Sequence, residues 1–178
     1  NFYRQNGAKN KNFAYAVDEH YYVAPEWLYQ NVDFYDEYSR EIGVFAGEYA
    51  GHDVNLTNSV EAAIAEAAML TGMERNGDVV KLASYAPLFN RIGHSQWTPD
   101  MIWFDAEKVV LTPSYYVQKL FSDYAGSEAL ELNGQEKTLR ENQLYVSLVK
   151  DGKSTILKVV NGAEEEQKLD LVDEKGSA

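Results

Sequence analysis

The chain has 178 residues, 45% of them hydrophobic and 13% aromatic, which is enough to build a core and unlike a disordered segment. Its net charge of -12 argues against nucleic acid and anionic membrane as partners, since clustered Lys and Arg hold both, and no apolar run approaches the roughly 18 residues of a membrane span. The absence of Cys removes disulfides, thiolate metal sites and thiol nucleophiles.

The chain opens at Asn1 without Met, in a polar stretch from Arg4 to Lys11, and reads as the interior of a longer polypeptide. Its N-terminus and any targeting signal are then expected outside this sequence, so the compartment stays unassigned, with a lean to secreted or periplasmic. Phe13-Ala14-Tyr15-Ala16-Val17 is a short apolar strand that runs into Asp18-Glu19-His20-Tyr21-Tyr22. From Pro25 to Arg40, the residues Trp27, Leu28, Val32, Phe34, Tyr35 and Tyr38 recur at helical spacing, with Pro25 suited to a first turn. Val44-Phe45-Ala46-Gly47-Glu48-Tyr49-Ala50 is a second apolar strand, which completes a βαβ unit.

A polar loop from His52 to Ser59 leads to an Ala-rich helix from Val60 to about Asn76, with Ser59 as N-cap and Asn76-Gly77 as its stop. Val79 to Phe89 is an apolar run that fits strand or helix and that Pro87 interrupts in either case. Arg91 to Thr112 is loop-like, and Pro113 to Ser122 is a short helix. After Gly126 the composition changes. Ala129–Leu132, Leu144–Val149, Thr155–Val160 and Lys168–Val172 are expected strands, with a hairpin turn at Lys150-Asp151-Gly152-Lys153 and a frayed tail from Asp173. Alternating strands and helices indicate an α/β fold.

Glu48 is a carboxylate at the end of a buried-type strand, which is how a parallel barrel presents catalytic groups. It is either a nucleophile or general base, or a carboxylate that merely leaves the core there. His20 and Tyr22 are two residues apart and share a strand face, where a Tyr hydroxyl could hold a neighbouring carboxylate ionised; otherwise the pair closes the core. Asp18 and Glu19 are expected at the surface or in support of the site. His20, His52 and His94 lack metal-ligand spacing, and no phosphate loop or serine-nucleophile motif occurs, so neither metal nor cofactor is implied. Asn55-Leu56-Thr57 matches a common glycosylation triplet. Trp103 is expected in the core, while Trp97 is left between core and sugar-stacking roles.

Asp18-Glu19-His20-Tyr21-Tyr22, Pro25-Glu26-Trp27 and Phe45-Ala46-Gly47-Glu48-Tyr49-Ala50 resemble family 51 glycoside hydrolases, the α-L-arabinofuranosidases. So do Glu61 to Ala68, Thr71 to Asn76, Ala83-Ser84-Tyr85-Ala86-Pro87-Leu88-Phe89, Trp97-Thr98-Pro99-Asp100 and Thr112 to Phe121. The resemblance is dense over residues 14 to 126 and looser beyond. It implies the C-terminal part of a (β/α)8 barrel over residues 1–110, then part of a jelly-roll-like β-sandwich over 111–178 entered by the helix near 113–122. It makes Glu48 the nucleophile of a retaining enzyme, and His20 and Tyr22 substrate-binding residues, with Tyr22 bonded to Glu48. The family's acid/base, an Asn-Glu pair on an earlier strand, is absent, so the chain alone is expected to be inactive, or at most a carbohydrate-binding or structural module. The implied partners are an arabinose-containing polysaccharide or oligosaccharide and the rest of the parent polypeptide; a homo-oligomer is compatible with it.

Overall fold

A computed structural model describes residues 9–10 and 13–172; the expected polar lead-in from Arg4 and the tail from Asp173 lie essentially outside them. Strands β1 (Ala16–Val23), β2 (Gly43–Gly51) and β3 (Val80–Tyr85) form a parallel sheet with β2 in the middle. Helix α1 (Pro25–Gln30) connects the first pair and α2 (Val60–Arg75) the second, as parallel neighbours require. Beyond them, β4 (Phe89–Arg91), β5 (Ile102–Phe104) and β6 (Val109–Leu111) make a small mixed sheet. After α3 (Pro113–Asp123) come β7 (Glu128–Leu130), α4 (Glu136–Glu141), β8 (Leu144–Asp151) and β9 (Ser154–Asn161), the three strands pairing antiparallel. The molecule is thus α/β and rich in sheet. The expected division between 110 and 111 lies within β6.

Helix α2 is the pivot. The Ser59 hydroxyl accepts the Ala62 N–H at 3.1 Å, Glu61 lies in the first turn and Arg75 in the last, each favourable to the helix dipole. The helix is buried nearly all round because α1, the parallel sheet, α3 and the antiparallel sheet all pack on it. Small side chains permit this crowding: a Cβ at Gly72 would lie 1.9 Å from the Val32 carbonyl oxygen. Val44, Ala46 and Tyr49 from β2 meet Ala65, Met69 and Met73 from α2 in one core. Glu74 reaches the antiparallel sheet, accepting from the Ser147 hydroxyl at 2.5 Å and Lys158 Nζ at 2.6 Å.

Several expected elements differ. The helix from Pro25 stops at Gln30 instead of Arg40: Asn31 Nδ2 donates to the Trp27 carbonyl at 2.8 Å, and three-residue turns follow. Arg40 Nη1 takes the carbonyls of Tyr35, Asp36 and Tyr38, which a continuing helix would have given to its own N–H groups. Strand β1 starts at Ala16, leaving Tyr15 exposed. The Val79–Phe89 run is strand until Tyr85, and after Pro87 the chain starts β4. The stretch expected as loop contains the β5–β6 hairpin, whose turn Asp105 caps by accepting the Glu107 and Lys108 N–H groups. Lys168–Val172 has no strand, and α4 was not anticipated. The hairpin turn is where its residues predict, with Asp151 paired to Ser154 and Gly152 at φ 58°.

Candidate active site

Along β2, Val44 and Ala46 point into the core shared with α2, and strict alternation would send residue 48 after them. The register with β1 shifts at this point: Glu19 pairs with Ala46 but His20 with Glu48, so Gly47 is an extra residue in β2. The β3 side shows the same surplus, with Ala46 opposite Ala83 and Tyr49 opposite Tyr85. This β-bulge gives the core position to Tyr49, which is 1% exposed, and turns Glu48 to the opposite face. A Cβ on Gly47 would lie 2.2 Å from Asp18 Oδ1, so a larger residue at the bulge would displace the carboxylate that contacts His20. The Ser84 hydroxyl donates to the Gly47 carbonyl at 2.6 Å and pins the bulge to β3.

On that face Glu48 meets the side chains of β1. The Tyr22 hydroxyl donates to Glu48 Oε2 at 2.6 Å, and His20 Nδ1 lies 3.5 Å from the same oxygen. His20 Nε2 in turn lies 2.9 Å from Asp18 Oδ2, so the imidazole bridges two carboxylates. Burial and then the bond to Glu48 push the Tyr22 phenol up to about 12, so it remains a proton donor at neutral pH. Both contacts go to Oε2, leaving Oε1 without a partner among the described residues.

The carboxylate opens into a cavity of about 550 Å³ lined by Tyr22, Glu48, His52, Ala86, Pro87, Trp97 and Thr98. The His52 ring lies 5.3 Å from that of Tyr22, and burial lowers its pKa, which favours a neutral imidazole. Trp97 is 66% exposed at the cavity wall. Trp103 is only half-buried, its indole N–H held by Asn58 Oδ1 at 2.8 Å and the Asp100 carbonyl at 3.0 Å.

The structure therefore brings Glu48, His20 and Tyr22 together and separates Asp18 from Glu19. Asp18 supports His20, whereas Glu19 faces away and accepts from the hydroxyls of Tyr21, Tyr35 and Tyr38. His94 lies outside the cavity lining. Asn55 is in an exposed turn, and Thr57 of the same triplet donates to Asp53 Oδ2 at 2.5 Å. Sequence reasoning missed the bulge, although a Gly inside a strand often marks one.

It also missed Glu66. This α2 carboxyl is fully buried, with Oε1 accepting the Gly51 N–H at 2.8 Å, and burial raises its pKa from 4.5 to about 7. A raised carboxyl pKa means the folded protein keeps a proton that the unfolded chain releases, so stability falls as pH rises from about 4.5 to about 7. At about 1.4 kcal/mol per pH unit the full effect is roughly 3 kcal/mol. Glu66→Gln should flatten this dependence, gaining stability over the parent at pH 8 but not at pH 4; urea unfolding at both values measures it. Equal differences at the two pH values would refute it.

That side of the parallel sheet brings a carboxylate, an imidazole and a phenol together beside an open cavity, an arrangement of the kind a polar-ligand site needs. A family model described as the α-L-arabinofuranosidase C-terminal domain matches residues 29–174. An extracellular exo-α-L-arabinofuranosidase of Streptomyces chartreusis is 47% identical over 115 residues, covering 64% of this chain and 14% of the relative. α-L-Arabinofuranosidase A of Aspergillus niger is 36% identical over 155 residues, covering 86% of this chain and 24% of the relative. Among solved structures, the arabinose-bound α-L-arabinofuranosidase MgGH51 superposes with a TM-score of 0.74 at 34% identity, over 85% of this chain and 26% of that one. The arabinofuranosidase of Xanthomonas axonopodis pv. citri, at 15% identity and a TM-score of 0.58 over 87% of this chain and 40% of that one, shares the fold. The chain belongs to the α-L-arabinofuranosidases, family 51 of the glycoside hydrolases, and carries their C-terminal domain. It spans about a seventh to a quarter of the length of these curated relatives.

Proposed function

We propose that this chain supplies the nucleophile of a retaining α-L-arabinofuranosidase that releases terminal α-L-arabinofuranosyl groups from arabinan- or arabinoxylan-type chains. The observation that carries the reading is the pair of contacts from Tyr22 and His20 to one oxygen of Glu48 beside an open cavity. In this reading Glu48 Oε1 attacks the anomeric carbon, the C–O bond to the leaving group breaks, and a covalent arabinosyl ester forms. Water then cleaves the ester with net retention. Tyr22 and His20 hold the carboxylate and line the sugar site.

Retaining hydrolysis in its usual form needs a second carboxyl about 5–5.5 Å from the first as acid and then base. Asp18 is committed to His20 and Glu19 to its tyrosines, so neither is suited to that role. We assign it to a Glu on another segment of the parent polypeptide; in this reading β1, β2 and β3 are an arc of a (β/α)8 barrel, and the part of the chain from residue 111 onward, which holds the β7–β8–β9 sheet, belongs to a β-sandwich. The chain alone is then inactive, since general acid–base catalysis is worth about 10²–10⁴-fold.

Trapping tests the assignment. A 2-fluoro-arabinofuranosyl donor with a good leaving group, incubated with the enzyme that carries this segment, should add one sugar mass to the peptide containing Glu48. A label on any other residue, or turnover without a trappable ester, would remove Glu48 from the role.

A further inference from the structure

Glu66 is an expensive residue to keep. It is fully buried, it accepts the Gly51 N–H with the Ser114 side chain beside it, and its Oε2 has no close hydrogen-bond partner among the described residues. Replacing such a carboxyl by an apolar side chain of similar volume commonly leaves stability unchanged or improves it. A stability role therefore explains Glu66 poorly, and groups that violate the packing rules are expected where function needs them.

What Glu66 holds is informative. Gly51 is the last residue of β2, three positions after Glu48 and directly before His52, which donates its N–H to the Val23 carbonyl at 2.7 Å. Helix α2 presses on the strand backbone here: a Cβ on Gly51 would lie 3.1 Å from Ala62 Cβ and 3.2 Å from Glu66 Oε1. The carboxyl thus fixes the β2 end from behind, on the side opposite the cavity. Resting on the catalytic reading above, we infer that Glu66 is a positioning residue, which by clamping the Gly51 amide sets the direction in which β2 presents the Glu48 carboxylate and the His52 ring. Displacing a reacting group by about 1 Å costs up to roughly 10²-fold in rate, so a clamp three residues away is close enough to matter.

The test compares three variants of the enzyme that carries this segment. Glu66→Met cannot accept the Gly51 N–H; Gly51→Ala pushes on the same contact from the strand; Glu66→Gln still accepts through Oε1. The first two should lower kcat by about 10- to 100-fold with little change in KM, and slow labelling of Glu48 in parallel. Glu66→Gln should stay close to the parent, and Glu66→Met should melt no lower than the parent. The proposal fails if Glu66→Met turns over at the parent rate, or if it loses activity only in step with a lower melting temperature and Glu66→Gln is equally damaged. Should Glu66→Met not fold, Gly51→Ala against Glu66→Gln decides by the same split in kcat. An unlabelled Glu48 in the parent enzyme would overturn the catalytic reading itself, whereas a labelled parent with unaffected variants would overturn only the positioning role.

Discussion

Glu48→Ala is expected to abolish turnover of an aryl α-L-arabinofuranoside by the enzyme that carries this segment, by a factor on the order of 10⁴ to 10⁶ in kcat. The loss should leave the fold intact. The Glu48 side chain is 43% exposed on the cavity side, and its removal opens no hole in the core around α2. With the carboxylate gone, a small anion fits in its place, so added azide should restore turnover and yield an arabinofuranosyl azide of inverted configuration. Steady-state kinetics and product analysis check both points. Parent-like kcat in the alanine variant, or azide without effect on a folded protein, would mean that residue 48 is not the attacking group. Tyr22 and His20 act on Oε2, so their replacement should hurt less than removal of the carboxylate itself.

Gly72→Ala should destabilise the protein by about 3 kcal/mol or more, as a lower denaturation midpoint at unchanged slope would show. The sign is what makes this informative. In an ordinary helix interior, Ala in place of Gly stabilises by about 1 kcal/mol. Here the new Cβ would lie 1.9 Å from the Val32 carbonyl oxygen, a backbone atom that cannot rotate aside. Val32 is 1% exposed and packs with Ala68 and Tyr145, so moving its turn disturbs the contact between α2 and the antiparallel sheet as well. A stabilised Gly72→Ala protein would show that the turn after α1 does not rest on α2.

How much of this was legible in the sequence depended on whether the signal was local. The α2 helix, its Ser59 cap and its stop at Asn76 follow from propensity and capping, and so does the hairpin at Gly152. The helix expected to run to Arg40 failed because the spacing of Val32, Tyr35 and Tyr38 suits consecutive turns as well as a helix. The deciding partners were distant: Arg40 on the carbonyls, and Glu19 on the tyrosine hydroxyls. Three-residue strands such as β5 and β6 are too short to show alternation. For the site, spacing alone put His20 and Tyr22 on one face, but nothing local said that Glu48 would join them. That required the bulge at Gly47, which exists only in the pairing of three strands. Glu66 was hidden for a similar reason, since a Glu in an Ala-rich helix looks like a solvated one until the sheet is laid against it.

Which way a strand residue looks is a matter of counting in twos, and β2 miscounts once. Val44 and Tyr49 both look inward although five positions separate them, and the odd number is absorbed at Gly47. Loops elsewhere in the chain can gain or lose a residue at small cost. Between Val44 and Tyr49 the slip at Gly47 is indispensable: the same residues in unbroken alternation would swing the acid into the packed interior and expel a tyrosine, silencing the site without altering any side chain in it.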